Sequence, residues 1–248
     1  YRLFRKRPDL RFRGTVHESI VPDLELLMAS GWRLGESPMA LDHHGYDGDM
    51  RRKHLRNLPL LQARLERDPL HVYSWDQLGL THLGLDDAEA AATAWRHACE
   101  IVRAQPRRTE GDSMPFIHLA THLLDTGGDA SALLCEALAL FPDNHALVWQ
   151  QARQHFEQGA FAEAQAHFAR LAMLDASRIE SSRLSYDASI FGANAHAALG
   201  LCAFRRGHYS ESAAHYARAE AMQPDNLEFR AKHAFAAMKA RQSARPAQ

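Results

Sequence analysis

The chain has 248 residues, of which 46% are hydrophobic, and its 29 basic and 30 acidic residues leave a formal net charge of −1. This length allows one large domain or two small ones, and the near-zero charge gives no global electrostatic case for binding nucleic acid or an anionic membrane. No apolar run approaches the roughly 20 residues that span a bilayer, and the three cysteines have neither metal-binding nor disulfide spacing, so we expect buried thiols in a reducing cytoplasm.

Residues 1–48 have a short-range pattern that differs from the rest of the chain. Segments 3–4, 15–16 and 39–41 are typical of short strands, glycines separate them, and residues 23–30 could form one short helix. The charged N-terminus has no apolar segment behind it, which excludes a signal peptide. Because so few apolar residues cannot form a sizeable core, we expect the end of an α/β domain that begins in a longer protein.

An ordered series of four motifs runs from this region into the next helix. It consists of RLFR at residues 2–5, RFRGTVHE at 11–18, HHGY at 43–46 and KHLRNLPLL at 53–61. The series resembles the closing part of bacterial family 2 glycosyltransferases that carry tetratricopeptide repeats behind the catalytic domain. The resemblance covers about 60 residues, so residues 1–48 are interpreted as the C-terminal piece of a GT-A-type catalytic domain.

The resemblance implies that the longer protein, here called the parent, transfers a sugar from a nucleotide donor with the help of a divalent metal, Mn²⁺ or Mg²⁺. It makes His43 a candidate metal contact and places His17 and Glu18 at the acceptor side of the catalytic site. The alternative is structural: His17 and Glu18 would pair with nearby arginines, and His43 would be a half-buried, hydrogen-bonded histidine.

The family's donor-binding strands, D-x-D motif and catalytic carboxylate have no counterpart in this sequence. Asp47 and Asp49 have D-x-D spacing, but no hydrophobic strand precedes them, and we interpret them as the N-cap of the next helix. We therefore expect the chain alone to lack activity and to need no cofactor, and the nucleotide sugar to bind only together with the missing half.

Residues 49–68 form the predicted linking helix. Leu55, Leu58, Leu61 and Leu65 recur at spacings of three and four and predict one apolar face, whereas the other face carries six arginines and lysines. This basic face is either simply solvated or contacts phosphate. Pro59 should kink or restart the helix because proline cannot donate the helical hydrogen bond.

Residues 199–224, LGLCAFRRGHYSESAAHYARAEAMQP, contain the clearest repeat unit. They resemble the 34-residue tetratricopeptide repeat (TPR), a pair of antiparallel helices. Small Gly200 and Ala219 would allow close helix approach, Gly207 would end the first helix, and aromatic Tyr209 and Tyr216 would fill the space between the helices.

The same repeat pattern, counted along the chain from residues 199–224, predicts a mainly α fold. This fold is a TPR-type α-solenoid over residues 69–248 that follows the small α/β remnant. Each repeat needs neighbours because one helical pair cannot bury its own apolar face. The predicted repeats are 72–105, 113–144, 145–178 and 193–226, with an insertion at 179–192 and a capping helix at 227–241.

The first helix of each repeat is expected to line a concave groove that binds a partner. The positions that should face it carry Tyr73, Asp76, Ile117, Thr121, Asp125, Trp149, Arg153, Glu157, Asn194, Phe204 and Arg205. This mixture of polar and aromatic residues suits an extended peptide of a partner protein, or a glycan acceptor that stacks on Trp149 and Tyr73. The alternative is that Trp149, Phe204 and Ile117 only pack between helices.

Two functions follow as hypotheses. In the first, the chain is the C-terminal portion of a nucleotide-sugar-dependent glycosyltransferase, and its repeats bind the acceptor or a partner protein. In the second, the chain is a non-catalytic TPR scaffold for protein–protein interaction, and residues 1–48 are a degenerate remnant.

Overall fold

A computed structural model describes residues 4–14, 16, 20–33, 35, 50–175, 179 and 188–244. The chain divides into two compact units, residues 1–103 and 104–248. Within the described residues the first unit is built from α-helices and the second from α-helices and two short 3₁₀ helices, and no β-strand is present. No helix in this part of the chain combines the length and the apolar character that crossing a membrane requires.

Only one helix, α1 (Val21–Ala29), is found in the described part of residues 1–48. It matches the helix expected at residues 23–30. Of the expected strand segments, Phe4 and Val16 have irregular backbone, and residues 3, 15 and 39–41 lie outside the described residues. The α/β remnant is therefore not supported.

The buried carboxylate of Asp23 holds the segment before α1 through two hydrogen bonds. It accepts hydrogen bonds from the backbone N–H of Arg11 and from Nε of Arg13, both at 2.9 Å. The Arg11 N–H and the Arg13 side chain together lower the pKa of Asp23. A side chain thus satisfies the backbone donor of Arg11.

Helix α2 (Met50–Arg67) runs through Pro59 without a break, so the expected restart does not occur. Leu61 and Leu65 are buried and pack with Leu78, as the predicted apolar face requires. Leu55 is wrongly assigned to that face because its side chain is 55% exposed.

The basic face of α2 is partly paired. Arg51 forms an ion pair with Asp86 at 2.9 Å, and Arg64 forms one with Asp68 at 3.2 Å. Both pairs are solvent-exposed, so each contributes little to stability. These contacts favour the solvated interpretation of this face over a phosphate site.

Helices α3 (Val72–Leu83) and α4 (Ala88–Ala104) form the first helical pair. Trp95 of α4 is 1% exposed and lies directly on Gly79 of α3. The indole Nε1 donates a hydrogen bond to the backbone oxygen of Asp76, at 3.2 Å. The missing side chain of Gly79 is therefore what allows the two helices to meet around a tryptophan.

The second unit contains a 3₁₀ helix (Glu110–Ser113) followed by α-helices that pack in succession, with a second 3₁₀ helix (Ala188–Phe191) before α9. The α-helices are α5 (Met114–Asp125), α6 (Ser131–Leu140), α7 (His145–Glu157), α8 (Phe161–Ala172), α9 (Ala193–Arg205), α10 (Tyr209–Met222) and α11 (Leu227–Ser243). Each of the predicted repeat intervals thus holds two helices, and the predicted capping segment holds α11.

Glycines with positive φ end the first helix of three pairs. Gly127, Gly159 and Gly207 have φ of 74°, 76° and 78°. L-residues pay a steric penalty in this left-handed region, which glycine avoids. The role predicted for Gly207 is therefore confirmed. In the first unit Asp86, with φ of 68°, has this conformation between α3 and α4.

The close approach predicted at Gly200 and Ala219 is also present. A Cβ built on Gly200 would lie 3.0 Å from the ring of Tyr216, and Ala219 is fully buried. Beside them Cys202 is buried, and this burial raises the pKa of its thiol to about 11. Cys99 is buried too, whereas Cys135 is exposed, so the expectation of buried thiols is wrong for Cys135.

Candidate binding groove

An open cavity of about 190 Å³ lies between α7, α8 and α9 in the second unit. We call it the Trp149 pocket. Its lining residues are Trp149, Arg153, Phe156, Glu157, Phe168, Ala198 and Leu201. Aromatic and aliphatic side chains form most of the surface, and one basic and one acidic residue stand at its edge. The pocket can therefore accept an apolar group of a ligand. The two charged residues at its edge can select the charges next to that group.

The aromatic base of the pocket is anchored in the hydrophobic core. The rings of Trp149 and Phe168 meet edge to face with centroids 4.9 Å apart, a favourable aromatic geometry. Phe168 is buried with Leu199 and Cys202, and half-buried Trp149 packs against this cluster. Trp149 thus both packs between helices and lines the pocket, so the two interpretations of this residue are compatible.

A chain of side-chain hydrogen bonds fixes Arg153 at the pocket wall. Its guanidinium donates to Asp125 Oδ1 at 2.6 Å and to Gln150 Oε1 at 3.1 Å. Gln150 in turn donates to Thr121 Oγ1 at 2.8 Å, and Thr121 donates to the backbone oxygen of Ile117 at 2.7 Å. The network joins α5 to α7 and leaves the Arg153 charge locally balanced by Asp125.

A row of aromatic rings and cations continues from the pocket along α9 to α11. The guanidinium of Arg205 lies over the ring of Phe156, 6.0 Å from its centroid. Phe204 stacks on Phe235 with centroids 5.5 Å apart, and Lys239 lies over Phe235 at 5.9 Å. The surface next to the pocket is therefore aromatic and positively charged.

Two pairs of histidines join the helices near this surface. His155 stacks on His167, and His196 lies against His215 with Nδ1 atoms 3.3 Å apart. Burial, followed by neighbouring positive charge, lowers the pKa values of His167, His196 and His215. These three imidazoles are neutral at pH 7, since their ordinary pKa of about 6.5 is already below it.

Comparisons with known proteins identify the fold. No family model matches the sequence, and no curated protein matches it. Solved structures do match: a chain of the APC/C hetero-tetramer Cut9–Hcn1 has a TM-score of 0.58 at 15% identity, over 77% of this chain and 34% of that one. YrrB, a TPR protein with an unusual peptide-binding site, has 0.53 at 17% identity, over 72% and 82%. A thermophilic TPR protein of Thermus thermophilus has 0.52 at 20% identity, over 75% and 92%.

The described helices have a TPR-like fold. The prediction of a TPR-type helical fold is thereby confirmed at the level of the fold, because identities this low do not carry function. The chain spans about a third of the length of the matched chain of the Cut9–Hcn1 assembly. These matches give no support to a glycosyltransferase part.

The structure brings together some of the predicted groove residues and separates others. Trp149, Arg153 and Arg205 lie at or beside the Trp149 pocket, and Thr121 supports its wall. Phe204 lies on the aromatic row. These side chains come from consecutive first helices of the TPR pairs, which explains why a count along the repeat could find them.

Glu157 lines the pocket and Asp125 pairs with Arg153, but four other predicted groove residues have different surroundings. Asp76 is 3% exposed and Ile117 is 9% exposed, so both pack inside the fold and present little surface to a ligand. Asn194 donates a hydrogen bond to Ser189. Tyr73 is exposed but belongs to the first unit.

The residues His17, Glu18 and His43 lie outside the described residues, so their predicted roles are untested. Within the described part of the chain, no three or more His, Cys, Asp or Glu side chains cluster in a way that could hold a metal ion. The divalent metal expected for the longer protein stays a prediction.

Sequence reasoning missed three groove residues that the TPR register could have supplied. Phe156 occupies the twelfth place of its helix, as Phe204 does in α9, but is not among the predicted groove residues. Phe235 and Lys239 occupy the ninth and thirteenth places of α11, which the sequence predicts only as a capping helix. Continuing the count into the capping helix would have found them.

Proposed function

We propose that the TPR region binds an extended peptide segment of a partner protein, with one apolar side chain of the peptide in the Trp149 pocket. The observation that carries this proposal is an open pocket that is apolar at its base and flanked by an arginine fixed through Asp125 and Gln150. Its volume of about 190 Å³ is below that of sites for drug-sized ligands, and suits a single side chain.

The fold supports the same proposal. Helical pairs that stack side by side leave a continuous surface along their first helices, and an extended chain can follow such a surface. One solved TPR protein of similar fold is described as having a peptide-binding site.

The test is direct binding of displayed short linear peptides, followed by affinity measurement on the enriched sequences. Ala198→Phe should fill the pocket and weaken binding by about tenfold or more, since anchor side chains carry much of the energy of such interfaces. This variant adds a ring at a half-buried surface and leaves the core ring of Trp149 in place. Trp149→Ala should weaken binding by a similar factor.

Met173→Ala is the matched control, because Met173 is 86% exposed at the end of α8 and does not line the pocket. Circular dichroism would verify that each variant is folded. An unchanged affinity of Ala198→Phe and Trp149→Ala, both folded, would rule out the pocket as the binding site.

We also propose that the parent is a nucleotide-sugar-dependent glycosyltransferase whose TPR region positions the acceptor or a partner protein. The ordered motif series between residues 2 and 61 motivates this second proposal. The experiment is sugar transfer by the full gene product, with Mn²⁺ or Mg²⁺ and with a panel of nucleotide sugars, compared with this chain alone. Absence of any donor turnover by the full product would argue against it.

A further inference from the structure

We infer that the peptide for this groove is acidic: an apolar residue enters the Trp149 pocket, and neighbouring carboxylates contact Arg205 and Lys239. This inference rests on the proposed peptide-binding function and adds the charge of the partner. The inference also orients the peptide, because its acidic residues then lie on the α11 side of the pocket.

Arg205 is the first cation available to such a carboxylate. Its side chain is exposed and lies over the face of Phe156. Among the described residues no carboxylate forms an ion pair with it. A guanidinium stacked on an aromatic face keeps its N–H edge free, and this edge can donate two parallel hydrogen bonds to a carboxylate.

Lys239 extends the same arrangement by one helix. Arg205 and Lys239 are each the thirteenth residue of their helices, which begin at Ala193 and Leu227. Lys239 lies over Phe235, which is 48% exposed and stacks on Phe204. Lys239 is therefore joined to α9 through the Phe235–Phe204 ring pair, and Phe204 directly precedes Arg205 in the sequence. No ion pair to Lys239 occurs in the described part of the chain.

The carboxylates around this surface are mostly engaged elsewhere. Asp125 is paired with Arg153 at 2.6 Å. Glu220 accepts from His233 at 2.8 Å, and Glu211 accepts from Gln165 at 2.6 Å. With His167, His196 and His215 neutral, the unpaired cations leave an excess of positive charge between α9 and α11. Charge complementarity therefore favours an acidic ligand.

Glu157 is the exception among these carboxylates. It explains why we place the acidic residues of the peptide on the α11 side of the pocket. It lies at the edge of the Trp149 pocket on α7, where it would repel a carboxylate. A basic peptide would gain only the contact with Glu157, and Arg205 and Lys239 would repel the rest of it. An acidic peptide avoids Glu157 by placing its charges on the α11 side of the anchor.

The experiment is selection from a displayed library of random linear peptides against the full chain. We expect the enriched sequences to combine one aliphatic or aromatic residue with Asp or Glu beside it. For one synthetic enriched peptide, Arg205→Gln together with Lys239→Gln should weaken binding about tenfold or more, because hydrogen bonds to charged groups are the stronger class. Replacing the peptide's own Asp and Glu by Asn and Gln should weaken binding to the unmodified chain equally.

Arg241→Gln is the matched control, since Arg241 is an exposed cation on the same helix that stacks on no ring in the described structure. Its affinity should equal that of the unmodified chain. Raising the salt concentration should weaken binding to the unmodified chain more than binding to the double variant, because exposed charges are screened.

Enrichment of apolar anchors without acidic neighbours would overturn the acidic inference and leave peptide binding in place. Absence of any enrichment would overturn both. A single-stranded oligonucleotide that bound as tightly as the selected peptide would also overturn the inference, because the surface would then be a general polyanion site. Retention of affinity by the folded double variant would also overturn the inference, because Arg205 and Lys239 would then make no contact that binding needs.

Discussion

Gly79→Ala should destabilise the first unit by about 3 kcal/mol, at the upper end of the cost of overpacking a well-packed core. The new Cβ would lie 2.3 Å from Nε1 of Trp95 and 2.6 Å from Cε2, well inside van der Waals contact. Trp95 is 1% exposed and its Nε1 is bonded to the Asp76 backbone, so the indole has little room to move. Hydrogen exchange of the α3 and α4 amides would measure the loss.

Two further variants make this experiment specific. Leu83→Ala on the same helix should cost under about 1 kcal/mol, since Leu83 is an exposed side chain. Trp95→Phe removes the indole nitrogen that the new methyl would strike, so it should be less harmful in the Gly79→Ala background than alone. Unchanged protection of α3 and α4 in Gly79→Ala would show that the Trp95 contact does not limit helix approach.

Asn144→Ala should destabilise the second unit by about 3 kcal/mol, combining a lost helix cap with two lost hydrogen bonds. Asn144 is fully buried, and its Oδ1 caps α7 by accepting from the Leu147 N–H at 3.0 Å. Its Nδ2 donates to Glu110 Oε1 at 2.7 Å and to Ser113 Oγ at 2.9 Å. One side chain therefore ties the 3₁₀ helix before α5 to the start of α7.

Asn226→Ala provides the matched control for this variant. Asn226 caps α11 in the same way, accepting from Glu228 and Phe229, but it is only half-buried and holds no second loop. Its loss should cost about 1 kcal/mol, the usual value of an N-cap. Denaturant unfolding followed by circular dichroism would compare the two. Equal losses would mean that the contacts of Asn144 to Glu110 and Ser113 contribute nothing.

The helices were predictable because their signals are local. Apolar residues at spacings of three and four, glycines at the turns and small residues at contact points act within one helical pair. Gly207 and Gly200 therefore behave as expected, and the predicted TPR fold is found. The expected strands are absent from the described residues, and a strand, unlike a helix, depends on a partner that can lie far away in the sequence.

The candidate site was only partly predictable. Repeat counting placed Trp149, Arg153 and Arg205 at one surface, and the structure brings them near a single pocket. The same counting also selected Asp76, which is buried. A repeat position specifies which way a side chain points from its helix, but the neighbouring helices determine whether that side chain is covered.

The sequence by itself determined the helical pairs, their turns and the small residues that let the helices approach, because each depends on residues close together in the chain. Only the tertiary structure decided which side chains form the binding surface. The Trp149 pocket combines residues of α7, α8 and α9, and Phe204 meets Phe235 across two helices. The burial of Asn144 likewise depends on a loop about 30 residues earlier. Such contacts arise from packing between helices, so no local pattern encodes them.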